Sequence, residues 1–414
     1  MAGKNKSKVQ NSAALKALQQ EKALKIRFTQ RIKALLELYG GSELLTKIPA
    51  IYIDKLFSLR YTVLKVKPAS GQIIEKANIV KFNKLMNLLI ENEFIELDNG
   101  NLVPLSWYAT EVLTLIDAMT QIKPEDAEFE TIAKHFLPYF PDTEIYNAIQ
   151  DKLISIITDT TRFLSDFNKE IFRVTLDEAA VFNRFCPQND LLIHAFKPEP
   201  VKLVLNGEKH SAIQLGWVDH NLKWKMLKVK ASALGFKVDG LDIPLDVFVQ
   251  NHALMRLKER INIIPGVIHE ILMRTFGEKS INHVWQEGKS LVEFRVSDEK
   301  VGYLIVKLHS NKLVVHTFLF LTNDQTPEGE KLRRLLEIER ADKKYLQIDN
   351  LTDFNAYHIY NNEKLSQLFK DAGCGSLLKL SHLKEFSETQ VSDKNSDSIE
   401  RYLADAPYFI KKLE

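Results

Sequence analysis

The 414-residue sequence has little cysteine and no long apolar run. Its two cysteines, Cys186 and Cys374, are too few and too far apart for a disulfide framework or a cysteine zinc site, so we expect two free thiols. No run of about 18 apolar residues occurs, and no apolar stretch follows the basic N-terminus, which predicts neither a spanning helix nor a secretory signal. We therefore expect a cytoplasmic protein with no membrane partner.

The sequence also lacks the common motifs for binding nucleotides and metals. It contains neither a GxxxxGK[ST] nor a GxGxxG run, and neither HExxH nor paired Cys-x-x-Cys motifs. We therefore predict no cofactor and no metal. With 45% hydrophobic and 27% charged residues it is typical of a globular protein, and its net charge of +2 gives the whole molecule no strong preference for nucleic acid.

Acidic residues are scarce at the N-terminus, where Glu21 is the one acid among the first 33 residues, against nine Lys or Arg. Residues 12–38 are rich in helix formers, with apolar residues at roughly helical spacing. They predict a basic helix within residues 1–41. Two interpretations stay open: a solvated helix that docks by its leucine stripe, or an arm that contacts phosphates or a partner.

The order of periodic segments predicts an α+β protein with a helical N-terminal half and a C-terminal half in which an antiparallel sheet packs on helices. The predicted domains are the basic helix 1–41, a mainly helical α+β region 42–199, an α+β domain 200–385, and a flexible linker with a short C-terminal segment at 386–414. A helix at 79–89 and a hairpin turning at Asn99-Gly100 are consistent with a winged helix near 46–105, although generic α+β packing gives the same pattern.

One stretch, NHALMRLKERINIIP at residues 251–265, predicts an amphipathic helix with an unusual polar face. His252, Arg256, Glu259 and Arg260 fall within an arc of about 100°. Neighbouring cations repel each other weakly unless an anion lies between them, and arginine offers donors matched to phosphate oxygens. The pattern is typical either of a phosphate-binding face or of a solvated face with an internal Arg–Glu pair.

The strands that follow predict a β-hairpin turning at Ser310-Asn311. A two-residue turn pairs His309 with Lys312, Lys307 with Val314, and Ile305 with His316. Strand alternation then gives one face of cations and aromatic rings, a combination that stacks bases and holds phosphates. The predicted nucleic-acid contacts on this face are Tyr303, Lys307, His309 and Phe318, next to His316. A half-exposed sheet with two incidental histidines is the alternative.

The helix HALMRLKERI and the strands ending in VVHTF, over residues 245–325, resemble a small bacterial family of uncharacterised proteins. That family carries His-Ala at the helix start, then Arg and Glu-Arg, and a last strand with a Val-Thr pair. It is similar in turn to the RelE, HigB and BrnT type of toxin, small ribonucleases of antiparallel sheet and helices. The resemblance implies metal-independent RNA cleavage, in which a ribose hydroxyl attacks the adjacent phosphate.

On this resemblance His252 would be a general acid or base, Arg256 and Arg260 would hold the phosphate, and Glu259 would orient one of them. His316 is a second candidate for proton transfer. This role follows from the predicted hairpin and not from the family's motif. The sequence departs from the family in reading ERINI where the family has ERGI, and in carrying a long N-terminal region. Either departure fits a fold that is kept for binding only.

Two functions are therefore predicted. The first is an RNA-directed phosphodiesterase, or a nucleic-acid-binding relic of one, with RNA or an antitoxin as partner. The alternative is a non-catalytic adaptor whose amphipathic helices recruit a protein partner.

Overall fold

The computed structural model describes residues 3–38, 50–96, 100–115, 143–176, 190–237, 240–386, 391–404 and 406. The chain forms two compact units: an N-terminal unit of residues 1–161 and 174–195, and a C-terminal unit of residues 162–173 and 196–414. Every helix in the described ranges is too short or too polar to cross a membrane.

Helices dominate the N-terminal part of the chain. They are α1 (Gly3–Leu38), α2 (Ala50–Ser58), α3 (Lys76–Asn92), α4 (Leu105–Trp107), which continues as a π-helical turn (Tyr108–Val112), and α5 (Thr143–Leu164). The strands are β1 (Lys65–Pro68), β2 (Phe94–Glu96), β3 (Leu102–Pro104), β4 (Ile171–Leu176) and β5 (Asp190–Phe196).

The helix and hairpin predicted around residues 79–105 are confirmed as α3 followed by the antiparallel pair β2–β3. Asn99 of the predicted turn lies outside the described residues. The preceding strand β1 pairs in parallel with β5 and forms the order β1-β5-β4.

The long helix α1 docks by only part of its apolar stripe. Phe28, Ile32 and Leu35 are buried, whereas Leu15 and Leu18 are more than half exposed. The docking interpretation therefore holds for the C-terminal turns of the helix.

The C-terminal unit contains most of the strands. They are β6 (Pro200–Leu205), β7 (Glu208–Gln214), β8 (Gly216–Val218), β9 (Trp224–Met226), β10 (Lys228–Lys230), β11 (Pro244–Gln250), β12 (His283–Gln286), β13 (Lys289–Val296), β14 (Glu299–His309) and β15 (Lys312–Phe320). Its helices are α6 (Asn251–Ile261), α7 (Pro265–Gly277), α8 (Pro327–Leu336), α9 (Arg340–Tyr345), α10 (Leu351–Ala356), α11 (Glu363–Asp371) and α12 (Asp397–Tyr402), with 3₁₀ turns at Ala231–Leu234, Ile359–Asn361, Gly375–Lys379 and Ser381–Phe386.

Eight of these strands form one sheet in the order β12-β13-β14-β15-β11-β7-β6, with β10 also paired to β11. Its pairs are antiparallel except for the parallel pair β11–β15. The predicted α+β class, with helices in the N-terminal half and an antiparallel-rich sheet in the C-terminal half, is confirmed.

Helix α6 covers one face of this sheet because its apolar residues lie on one side. Ala253, Leu254 and Leu257 are buried in the same core as Val249 of β11 and Val315 of β15. The helix ends at Asn262, which adopts a left-handed conformation with φ of 52°. The polar column of α6 therefore points away from the sheet.

The hairpin β14–β15 has the predicted turn but not the whole predicted register. His309 pairs with Lys312 and Lys307 with Val314, as predicted, but the register shifts between Ile305 and Val306. Ile305 consequently pairs with Thr317, and the predicted pairing of Ile305 with His316 is wrong. A β-bulge adds one residue to a strand and thereby moves all pairs beyond it by one position.

The C-terminal stretch is attached to its unit where the sequence predicted a flexible linker. Ile399 and Leu403 are buried, and Lys394 forms an ion pair with Asp353. Residues 387–390, 405 and 407–414 lie outside the described residues, as does Cys186. Cys374 is a free, buried thiol.

A buried histidine of α7, His269, should couple stability to pH. Its ring stacks on Phe167 at 4.4 Å between centroids, and its Nε2 lies 2.9 Å from the Gly216 carbonyl oxygen, to which it donates. Burial lowers the pKa of His269 from 6.5 to about 4. Between these values the unfolded chain binds a proton that the folded chain does not, so stability should fall with falling pH, by about 3 kcal/mol at most.

Denaturant unfolding at pH 7 and at mildly acidic pH measures this effect. The protein should lose more stability on acidification than His269→Gln, whose side chain does not titrate. Equal losses would show that the histidine titrates normally in the folded state.

Candidate nucleic-acid interface

The polar column of α6 contains the internal ion pair that its sequence allows. Arg256 Nη1 lies 2.8 Å from Glu259 Oε2, and both side chains are well exposed. This is the internal Arg–Glu pair that the solvated-face interpretation of the helix expects. Exposed pairs of this kind contribute little to stability.

Arg260 is held by the fold itself. Its Nη1 donates to the main-chain oxygen of Asp349 at 2.7 Å and also forms an ion pair with the Asp349 carboxylate. The two side chains are only 18% and 11% exposed. Two residues further on, the Asn262 amide donates to Thr352 Oγ1 of α10 at 3.0 Å, which fixes the same junction. Arg260 thus links α6 to Asp349, just before α10, and is not available to bind a phosphate.

The predicted catalytic set is not brought together. His252 is exposed on the first turn of α6 and, within the described residues, forms no hydrogen bond or ion pair with Arg256, Arg260 or His316. His316 is the residue that the bulge adds to β15, and its contacts with Gln250 and His309 place it on the face of the sheet opposite α6.

That opposite face gathers a second group of polar side chains, which we call the histidine face. It consists of His210 on β7, Gln250 on β11, Lys307 and His309 on β14, and Lys312 and His316 on β15.

Three of these side chains form a hydrogen-bonded chain. His309 Nε2 and His316 Nε2 are 2.8 Å apart, and Gln250 Nε2 lies 3.5 Å from His316 Nδ1. The amide nitrogen of Gln250 can only donate, so Nδ1 of His316 accepts and its Nε2–H donates to His309. His309 then carries its own proton on Nδ1, which leaves an N–H donor at the end of the chain.

Both imidazoles are neutral at neutral pH in this arrangement. Burial, followed by the nearby His309, Lys307 and His210, lowers the pKa of His316 to about 4. Burial and Lys307 also lower the pKa of His309. Hydrogen bonds to the neutral rings agree with these directions.

The two lysines of the histidine face have no carboxylate partner in the part of the chain that the structure describes. Lys307 and Lys312 are half-buried, and no ion pair among the described residues includes either. Two acids lie nearby: Glu208 is 3.7 Å from the His210 ring, and Asp246, the register neighbour of Lys312 on β11, is 3.6 Å from Lys228. Neither lysine is therefore neutralised by an ion pair within the described residues.

A cleft of about 370 Å³ opens beside the histidine pair. It is lined by β6 and by His309, Ser310 and Lys312 of the hairpin end, with Phe248 and Val314 at its floor. Three strands separate β6 from β14 in the sheet, so the sheet must curl to bring both to one cleft. The cleft combines an apolar floor with a cationic rim.

Two of the predicted nucleic-acid contacts are wrong. Tyr303 is 1% exposed and its hydroxyl lies 3.0 Å from Glu328 Oε1, while Phe318 is 2% exposed and packs edge-on against Phe294. The extra residue in β15 moves Phe318 to the face of Leu304, its partner in the register, whereas Tyr303 keeps its predicted face and is covered there by Lys300 and Glu328. Neither ring can stack on a base, whereas Lys307 and His309 do lie on the accessible face.

Sequence reasoning missed Gln250, His210 and Asp349. Alternation along β11 offered a signal for Gln250, which directly precedes α6. Placing His210 on this face requires knowing that β7 pairs with β11. Asp349 is 89 residues from Arg260, so no local pattern links the two. Comparisons of the chain with protein-family models, curated proteins and solved structures found no match.

Proposed function

We propose that the C-terminal unit binds single-stranded RNA on the histidine face without cleaving it. The observation that carries this proposal is the position of Lys307 and Lys312, which flank the His309–His316 pair without a carboxylate partner among the described residues.

The chemistry of the face suits a phosphate backbone. Lysines supply the counter-charge that dominates affinity for nucleic acids, and the Nδ1–H of His309 adds a directed donor. The cleft beside them has exposed Val201 and half-buried Leu203 in its wall, which offers an apolar contact for a base or ribose. A single strand fits this arrangement because its bases are not already paired.

The same arrangement favours binding over cleavage. Ribose-hydroxyl attack needs a base and an acid on one phosphate, and cations over the developing charge. Arg260 is held by Asp349, Arg256 is paired with Glu259, and the two neutral histidines bond to each other. Neither imidazole of the His309–His316 pair is therefore protonated and ready to act as an acid at neutral pH.

Replacing both lysines tests the proposal. We expect Lys307→Gln/Lys312→Gln to weaken binding of a labelled pyrimidine-rich oligoribonucleotide by about tenfold in fluorescence anisotropy. The slope of log affinity against log salt should fall by about 0.7 for each lysine, because each neutralised phosphate releases its counterion.

A matched control removes the same charge elsewhere in the unit. Lys279→Gln/Lys331→Gln changes two exposed lysines and should leave both affinity and salt slope nearly unchanged. Equal losses in the two double variants would mean that net charge alone sets affinity. Cleavage of the RNA by the protein, seen on a denaturing gel, would contradict the non-catalytic part of the proposal.

An adaptor is the second candidate, and exposed apolar side chains on α1 favour it. Leu15, Leu18 and Ile26 are 59%, 52% and 61% exposed. An adaptor would bind its protein partner equally well after the lysine substitutions and would bind no RNA.

A further inference from the structure

We infer that a cleft in the N-terminal unit binds a small phosphate-bearing molecule. The cleft has a volume of about 240 Å³ and lies between α1, the segment 60–65 that follows α2, and the end of α4. Three arginines line it: Arg27 and Arg31 from successive turns of α1, and Arg60 from the segment that follows α2.

One of the three arginines is balanced by a buried acid. Arg31 Nη1 lies 3.3 and 3.4 Å from the two carboxylate oxygens of Glu111, whose side chain is 6% exposed. The Arg31 guanidinium also lies 5.8 Å from the Trp107 ring centroid. The Arg31–Glu111 ion pair therefore lines the bottom of the cleft and contributes no net charge to it.

The other two arginines supply unbalanced positive charge. Neither Arg27 nor Arg60 has a carboxylate partner in the described part of the chain, and Lys65 adds a third cation to the lining. The remaining acid of the lining is Glu91, which is exposed. Guanidiniums that share a cleft repel each other unless an anion lies between them.

Arg60 is already oriented for a ligand. Its Nη1 donates to the Phe57 carbonyl oxygen at 2.6 Å, and its Cζ lies 3.9 Å from the Phe57 ring centroid. A guanidinium has five N–H donors, so these contacts fix its plane and leave donors for an incoming oxygen. Such a preorganised fork loses little conformational freedom on binding.

Phosphate is the anion that this donor set suits. Its oxygens can accept from two guanidinium forks at once, whereas a single carboxylate is satisfied by one. Leu24 and Val63 in the wall are about half exposed, so an apolar part of the ligand can contact them. The volume fits a small phosphate ester rather than a large cofactor.

Isothermal titration of the full-length chain with inorganic pyrophosphate tests the site. We expect saturable binding that weakens about tenfold in Arg27→Gln, through the loss of a charge-assisted hydrogen bond, and further in Arg27→Gln/Arg60→Gln. Arg27 is exposed and on a helix surface, so its single variant should keep the melting temperature of the parent protein and remains decisive if the double variant unfolds.

Two control variants test whether pyrophosphate binding depends on the arginines of this cleft. Lys76→Gln/Lys84→Gln removes two exposed cations from α3 of the same unit and should bind pyrophosphate like the parent. Lys307→Gln/Lys312→Gln should also bind it normally, which makes this test independent of RNA binding. Absence of pyrophosphate binding by the parent chain, or equal binding by Arg27→Gln, would overturn the inference.

Discussion

Replacing Lys343 by alanine is expected to lower the free energy of unfolding by about 3–5 kcal/mol. The side chain is 1% exposed, yet its ammonium group has three acceptors. Nζ donates to the main-chain oxygens of Thr322 and Gly329, at 2.9 and 2.8 Å, and forms an ion pair with Asp324. These contacts fasten the turn between β15 and α8 to α9.

The large effect follows from what the substitution leaves behind. Without the ammonium group, two buried carbonyl oxygens and a mostly buried carboxylate lose a donor, and each such group costs free energy when unpaired. Denaturant unfolding monitored by circular dichroism gives the measurement. Lys344→Ala changes the exposed neighbour on the same helix and should shift stability by less than about 0.5 kcal/mol. A similarly small shift for Lys343→Ala would show that the buried ammonium group is not an essential link.

Replacing Arg260 by alanine should also destabilise the protein strongly, by about 3 kcal/mol, because it leaves Asp349 buried without its cation. Arg256→Ala is the matched control on the same helix face. Its pair with Glu259 is exposed, so this variant should lose less than about 1 kcal/mol. RNA binding, measured well below the unfolding transition, should be the same in both variants as in the parent protein.

This comparison separates a structural arginine from a phosphate-binding one. If Arg260→Ala kept its stability and lost RNA binding, the polar column of α6 would be the binding surface after all. Arg260 would then have to leave Asp349 when RNA binds.

The parts of this fold that the sequence predicted are those set by local pattern. The amphipathic spacing of 251–261 gives α6, and its Arg–Glu pair forms between residues three apart. The turn at Ser310-Asn311, where both residues have positive φ, gives the hairpin and its first pairs. Such signals depend on neighbours within a few positions.

The parts that the sequence could not give depend on distant residues. The bulge, which adds His316 to β15, turns Phe318 into the core, while Tyr303 is buried by contacts with Lys300 and Glu328; the alternation of the strands predicts neither. The pairing of Arg260 with Asp349 reverses the expected role of that arginine across 89 positions. A row of cations on one helix face therefore does not by itself predict a phosphate-binding site, because acidic residues from elsewhere in the chain can form ion pairs with it.

Photocrosslinking with an RNA that carries 4-thiouridine tests the central claim most directly, because mass spectrometry locates the attached nucleotide on the chain. The histidine face predicts crosslinks in residues 305–316 and in the end of β11, and their loss in Lys307→Gln/Lys312→Gln. Crosslinks concentrated on α6, at residues 251–261, would contradict the claim and would show that RNA binds to the helix instead.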